Sequence, residues 1–403
     1  MDVYIARQPI FTAAKEIFGY ELLFRDSMDN VFPDIDGDVA TSRLLSNTFC
    51  AFDLEQLCGG KRMFVNFTND LLIKEVPRLV PKDLLVVEIL ENVEPDPNVI
   101  EACQHIAGAG YSVALDDFFF KPDLLPLIQL SKTIKIDFRL TPPKTIQTFV
   151  ERLTPFSINF LAEKIETHEE FEQALAMGFS FFQGYFFCKP EVLTSKDIAP
   201  NKVTLLQIVG EINHSECDLE KLAEIINRDV SITYKLLRYI NSAYFRRRQE
   251  IQSIQHAVVM LGEKEIRKFI SLVATAALAA DKPSELIRSS IVRARMCELI
   301  GSLDGLNLDQ FELFLVGLFS RIDAMLDNPM EEIIDQLPLS TNVVQALTKG
   351  EGPLAEILQL IGSYETGDWI LFSQLKEKLA IDDARIPAFY LEAIGWADTY
   401  VSL

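Results

Sequence analysis

Eight short runs rich in β-branched and aromatic residues, spaced by helix-length stretches, predict a (β/α) barrel of the TIM type over the first half of the chain. In the second half such runs nearly vanish and apolar residues recur at helical spacing, which predicts an all-α domain. Between the halves, "KPEVLTSKDIAPNK" from residue 189 carries two prolines and several polar residues and reads as a linker. The division expected from these patterns is a barrel over 1–192, a linker over 193–201 and a helical domain over 202–403.

The barrel runs are, in order, "VYIARQPI", "FGYELLFR", "RMFVNF", "LLVVEIL", "SVALDDF", "TIKIDF", "NFLAEKI" and "FSFFQGYFF". Most are almost wholly apolar, as strands buried on both faces must be. Helices are expected over 39–57, 97–109, 143–153 and 168–177. The first two runs could instead pair as a hairpin at the barrel entrance. This half is short for the architecture, which usually needs roughly 250 residues. In the second half, Leu222, Ile225, Ile226, Leu236, Leu237 and Ile240 fit apolar helix faces, with Asp218 as an N-cap and Gly262 as a stop after "IQHAVVML".

The 403 residues are 49% hydrophobic and 10% aromatic, which suits two packed domains and excludes global disorder. No apolar run reaches the roughly 20 residues of a membrane span, and the N-terminus lacks a secretory pattern. No membrane insertion and a cytoplasmic location are therefore expected. The cysteines (Cys50, Cys58, Cys103, Cys188, Cys217 and Cys297) show no zinc spacing and read as reduced. A formal charge of −21 repels nucleic acid polymers, so a phosphate-bearing ligand would need arginine or bound cations.

The stretch "YSVALDDFFF" at 111–120 ends an apolar run on two adjacent carboxylates, which repel each other and resist desolvation. Other runs end similarly. Glu21, Asn66, Glu88 with Glu91, Asp116 with Asp117, Lys135 with Asp137, Glu163 with Glu166, and Gln183 all lie near strand ends. In a parallel barrel these ends open on one face. Carboxylates and amide oxygens converging there would suit Mg²⁺, Mn²⁺ or Ca²⁺ rather than zinc, and two ions sharing a carboxylate would form a phosphodiester-cleaving clamp. Asp123, Glu170 and Glu94 read only as solvated termini or helix caps.

These motifs resemble the EAL domain, a barrel phosphodiesterase that linearises cyclic di-GMP to pGpG. "RQPI" (7–10), "ELLFR" (21–25), "VNFT" (65–68), "VEILE" (87–91), "ALDDF" (114–118), "IKID" (134–137), "LAEKIET" (161–167) and "FFQGYFFCKP" (181–190) follow the family's motifs in order. The resemblance implies one metal on Glu21, Asn66, Glu88 and Asp116, and a second on Asp116, Asp117 and Glu163, the ions being Mg²⁺ or Mn²⁺. It implies that Lys135 helps activate the attacking water, with Glu163 and Glu21 completing the catalytic set. Gln8, Arg25, Gln183 and Asp137 would contact ligand, Arg25 through a phosphate oxygen, while Glu91 and Glu166 would support loops. The chain departs from the family where "DDF" is followed by Phe118-Phe119-Phe120 in place of a Gly-Thr-Gly loop, and where Lys164 replaces the glycine of "A-E-G-V-E". The altered loop implies weak or conditional turnover, and the phenylalanine run reads best as a buried loop anchor. The alternative implied is an inactive cyclic di-GMP receptor or scaffold.

The second half resembles the HDOD domain through "INRDVSITYKLLRYINSAYF" (226–245) and "IQSIQHAVVMLGEKEIRKFI" (251–270). Where related hydrolases carry a His-Asp metal pair, "GLFSRID" (317–323) offers Ser320 and Arg321, so no hydrolase chemistry is expected in this half. Regulation through an unidentified protein partner is, and the resemblance is compatible with a homodimer.

Overall fold

A computed structural model of the chain describes residues 4–25, 57–189, 200–213, 220, 222–223, 226, 230–241, 251, 253–303, 305–381 and 385–401. They form two compact units: Met1–Phe187 with Ser363–Trp369, and Cys188–Gly362 with Ile370–Leu403. The expected helix over most of 39–57, the cap Asp218 and Ile225 lie outside the described residues.

In the first unit, strands β1 (Tyr4–Thr12), β2 (Ile17–Arg25), β3 (Arg62–Phe67), β4 (Leu85–Ile89), β5 (Ser112–Leu115), β6 (Thr133–Asp137), β7 (Asn159–Glu163) and β8 (Phe181–Gln183) close a barrel in chain order. All eight expected runs are strands. The barrel is not wholly parallel, because β1 runs antiparallel to both β2 and β8. The hairpin reading holds, since the few residues between Thr12 and Ile17 can join only antiparallel neighbours. Helices α1 (Asn69–Ile73), α2 (Pro97–Gly108), α3 (Leu125–Leu130), α4 (Pro143–Leu153) and α5 (His168–Ala176) fill the connections. The ends of α2 and α5 are fixed by side chains: Asp96 caps α2, and Thr167 with Glu170 forms a capping box on α5. Glu170 is thus a helix cap, as its sequence position suggested.

One layer of the barrel interior is Ile10, Phe64, Val86, Ala114 and Leu161, packed with Phe18 and Phe181. Side chains alternate across a strand, so the residue two further along faces inward again. Two residues beyond Phe64, Val86, Ala114, Leu161 and Phe181 stand Asn66, Glu88, Asp116, Glu163 and Gln183. In β1, which runs the other way, the equivalent step back from Ile10 reaches Gln8. One apolar layer therefore sets the phase that points a polar layer at the mouth.

From residue 200 onward every described element is helical: α6 (Pro200–Asn213), α7 (Val230–Ile240), α8 (Ile254–Leu278), α9 (Ser284–Gly301), α10 (Gln310–Phe319), α11 (Ile322–Leu326), α12 (Met330–Ile334), α13 (Thr341–Lys349), α14 (Pro353–Thr366), α15 (Trp369–Lys378) and α16 (Ile386–Val401). Gly262 interrupts the helical run where the stop after "IQHAVVML" is expected. With a φ of 79° and a ψ of 168° its backbone leaves the helical region, so α8 is two helices meeting at a break that only glycine makes cheaply. Helices α9 and α10 cross closely at Gly317, where a Cβ would lie 2.6 Å from the Cα of Ala294.

Candidate metal centre at the barrel mouth

The polar layer encloses Lys135, which is fully buried. Its Nζ lies 2.9 Å from Glu88 Oε1, Asp116 Oδ1 and Glu163 Oε1, and 3.4 Å from Glu21 Oε2. One ammonium thus meets four carboxylates in a place where water cannot screen them. Burial pushes the Glu88 and Glu163 carboxyls well above the usual range, against the pull of Lys135. For Lys135, burial favours the neutral form, yet the surrounding carboxylates raise its pKa well above that of an ordinary lysine.

Two amides organise the far side. Gln183 Nε2 donates to Glu21 Oε2 at 2.5 Å and to Gln8 Oε1 at 3.0 Å, and Asn66 Nδ2 donates to Glu21 Oε1 at 3.3 Å. Gly184, next to Gln183, has a φ of +146°, and a Cβ there would fall 2.0 Å from the carbonyl oxygen of Ile165. Only glycine lets β8 pass the β7 loop so closely.

The donor set fits a hard divalent cation. Glu88 Oε2, Oδ1 of Asn66 and Asp117, and Oε1 of Gln183 are buried without accepting a hydrogen bond. Leaving such oxygens unsatisfied costs about 1–3 kcal/mol each, and more for charged groups. Glu88 Oε1 and Asp116 Oδ1 each lie 2.9 Å from Lys135 Nζ, so the one ammonium answers only part of this set and leaves the other oxygens to a cation. Glu21, Glu88 and Asp116 each bring one oxygen to within 4.8 Å of the others, close enough to share an ion. Oxygen-only ligation of this kind suits Mg²⁺, Mn²⁺ or Ca²⁺.

The mouth opens into a cleft of about 400 Å³. Gln8, Glu21, Asn66, Glu91, Asp116, Asp117, Glu163, Glu166 and Gln183 all reach its wall. Alternation would point Asp117 away from the mouth, but its φ of +37° turns the chain there, and the side chain lines the cleft beside Asp116. Burial raises the Asp117 pKa, with the charge of Asp116 adding to the effect. Asp137, among the expected ligand contacts, is instead buried beneath the wall. Its Oδ1 accepts from the backbone N–H of Arg139 and Leu140, and its Oδ2 lies 2.5 Å from Lys164 Nζ. Glu91 is exposed, and Glu166 pairs with Arg139. The side chain of Arg25 lies outside the described residues.

Two charged residues of the wall carry no role in the sequence reading: Arg139 and Lys164, the cations lining the cleft. Lys164 registered only as a departure from a glycine. Arg139 stands two residues past "IKID" with no signal of its own. Of the phenylalanine run, Phe118 is buried against Phe149, and Phe120 lies under the Arg152 guanidinium. Phe119 is 49% exposed, so the anchor reading holds for the first residue of the run and fails for the second.

In the helical unit, Ser320 Oγ donates to Gly317 O at 2.8 Å and accepts from Arg293, while Arg321 donates to Ser289. Both residues serve packing, and neither offers an anionic ligand.

Comparison with known proteins agrees with this organisation. The EAL domain model matches residues 46–190 and the HDOD domain model residues 198–335. The chain is 37% identical over 400 residues to the cyclic di-GMP phosphodiesterase CdgJ of Vibrio cholerae, covering 98% of this chain and 92% of that one. It is 36% identical over 404 residues to the uncharacterized protein YuxH of Bacillus subtilis, covering 98% of each. The chain belongs to the EAL–HDOD family. Among solved structures, the Bacillus subtilis YkuI protein, with an EAL domain in complex with cyclic di-GMP and calcium, is 18% identical with a TM-score of 0.39, covering 64% of this chain and 73% of that one. The EAL model begins at residue 46, yet β1 and β2, which carry Gln8 and Glu21 of this EAL–HDOD chain, complete the closed barrel.

Proposed function

We propose that the barrel is a metal-dependent phosphodiesterase that opens cyclic di-GMP to linear pGpG. The observation that carries the proposal is the buried set of oxygens around Lys135, too rich in negative charge to be explained as a structural ion pair. Full-length similarity to a protein named as a cyclic di-GMP phosphodiesterase supports the same substrate.

Glu21, Asn66, Glu88, Asp116, Asp117 and Glu163 would hold Mg²⁺ or Mn²⁺, which when bound lowers the pKa of water and polarises a phosphoryl oxygen. Lys135, held among four carboxylates, stays protonated and orients the attacking oxygen at the centre of the set. Gln183 and Asn66 fix both oxygens of Glu21, so this carboxylate meets the ion without reorganising. Gln8 and Arg25 contact the nucleotide, with Arg25 on a phosphate oxygen. Asp137, Glu91 and Glu166 shape the loops that carry these groups. Turnover is weak or conditional because Phe118 pins the loop after Asp117.

The protein acts in the cytoplasm. The barrel ends by residue 192, and the domain from about 202 regulates it or binds a protein partner. The test is product formation: pGpG released from cyclic di-GMP with Mg²⁺ or Mn²⁺, measured against Glu163→Ala. Product above that blank is expected. Tight, metal-dependent nucleotide binding with no product would instead make the barrel a receptor.

A further inference from the structure

The barrel unit includes Ser363–Trp369, which covers the end of α14 and the start of α15, far beyond the linker in sequence. The end of α14 is a left-handed cap. Gly367 has a φ of +69°, its N–H donates to Tyr364 O at 3.2 Å, and the Asp368 N–H donates to Ser363 O at 2.9 Å. The cap satisfies the carbonyls of Ser363 and Tyr364 and leaves those of Glu365 and Thr366 to partners outside the helix. Both find one on the barrel. The Tyr185 hydroxyl donates to Glu365 O at 3.4 Å, and Gln8 Nε2 donates to Thr366 O at 3.4 Å. Two further contacts fix the segment. The buried Tyr364 hydroxyl donates to Ile5 O at 3.1 Å, and a Cβ on Gly367 would fall 2.9 Å from Leu23 Cδ1. These contacts fall on β1, on β2 and just past the end of β8, the strands that carry Gln8, Glu21 and Gln183.

Resting on the metal-centre and nucleotide reading above, we infer that the Thr366 carbonyl is a positioning group for that site, acting through Gln8 and Gln183 on Glu21. The relay is continuous. Gln8 stands opposite Glu21 in the β1–β2 pairing, and Thr366 reaches the cleft wall beside it. With Gln8 Nε2 turned to Thr366 O, Gln8 Oε1 accepts from Gln183 Nε2 at 3.0 Å, and the same nitrogen donates to Glu21 Oε2 at 2.5 Å. A side-chain amide has one donor end and one acceptor end. An acceptor held at Thr366 therefore decides which way Gln8 faces, and Gln8 in turn helps hold Gln183 on the carboxylate. The Gln8–Thr366 bond is long, so it orients the amide, while Tyr364 and Gly367 anchor the segment that presents the carbonyl. A backbone group from beyond the linker is thus part of the barrel's site.

The experiment uses the full chain with Tyr364→Phe, which removes one hydroxyl, and Gly367→Ala, which pushes the cap away from Leu23. Calorimetry gives the Mn²⁺ dissociation constant without nucleotide, and kinetics at saturating Mn²⁺ give KM and kcat for cyclic di-GMP. Removing a group that holds a metal ligand directly typically costs roughly 10–100-fold in metal affinity; acting further out, both variants should weaken Mn²⁺ about threefold. KM should rise about fivefold with kcat within about twofold, because Gln8 meets the nucleotide and not the attacking oxygen. Adding Leu23→Ala to Gly367→Ala relieves the contact and should return both constants to within about twofold of the natural values, while lowering the melting temperature further. Packing alone does not give recovered binding alongside lost stability. Variants that melt lower yet keep the natural Mn²⁺ and nucleotide constants would overturn the inference. So would a lowered KM, which would mean that the segment obstructs the cleft. If the natural protein neither binds nor opens cyclic di-GMP, the nucleotide reading falls, and the Mn²⁺ constants alone decide the role of Thr366. No Mn²⁺ binding in any of these proteins would overturn the metal centre and this inference with it.

Discussion

The barrel and the helical unit each bury a lysine among carboxylates, and the two clusters differ in one respect. In the helical unit, Lys268 meets Glu298 and, at 2.5 Å, Glu265, while Arg295 lies 2.7 Å from Glu298 and 2.5 Å from Glu392. Glu298, buried between two cations, has its charge answered. In the barrel, one lysine faces four carboxylates, and oxygens remain without a donor. A balanced buried cluster completes a fold, whereas an unbalanced one is completed by a ligand. Protein interiors tolerate such a surplus of negative charge poorly unless a cation is supplied.

The sharpest way to break this comparison is to neutralise one glutamate in each cluster. Glu88→Gln should lower pGpG formation on the order of 10³-fold, roughly 4 kcal/mol of transition-state stabilisation. In chelator the same change should leave the melting temperature unchanged or raise it by about 3 °C, because it removes a surplus charge. A lowered melting temperature would show that Glu88 is a structural partner of Lys135 and sink the distinction. Glu298→Gln should do the reverse. It leaves Lys268 and Arg295 short of a buried anion and should cost about 3 kcal/mol in denaturant unfolding. A neutral result there would mean that the helical cluster is solvated and structurally idle.

The contrast also explains what could be read from the chain alone. The eight strands and the polar layer were legible because both rest on a period of two: once Phe64, Val86 and Leu161 are assigned inward, Asn66, Glu88 and Glu163 follow. The antiparallel β1 was legible only as an alternative, since direction depends on the length of the Thr12–Ile17 connection. Asp137 was misplaced for a different reason. Its backbone partners at 139 and 140 belong to a turn that its own carboxylate creates. Arg139 and Lys164 were missed as cleft cations because positive φ and loop direction leave no periodic trace. Gly262 was legible as a helix stop because positive φ is open to glycine at little cost, and the helical run does break there before a second helix begins.

The loop after Asp117 lies between the two regimes and divides residue by residue. Phe118 is 2% exposed and packs edge-on against Phe149, at 5.7 Å between ring centroids. Phe118→Ala should cost about 2 kcal/mol, less than most buried phenylalanines, because the adjacent cleft of about 190 Å³ lets neighbours relax. A change within 0.5 kcal/mol, to order of magnitude, would show that the loop is not anchored there.

Phe119 is the smallest case. Its ring is half in solvent, so Phe119→Ala should leave stability within about 0.5 kcal/mol and turnover within about twofold. If the loop acts as a brake through its stiffness, the useful variant retains Phe118 and changes its neighbours. Phe119→Thr combined with Phe120→Gly also removes the ring from beneath Arg152 and restores backbone freedom. That double variant should raise pGpG formation about fivefold, equivalent to about 1 kcal/mol, with unchanged Mn²⁺ affinity. A rise from Phe119→Ala alone as large as from the double variant would place the brake in the exposed ring instead. Unchanged turnover in both would mean that loop stiffness does not limit the reaction.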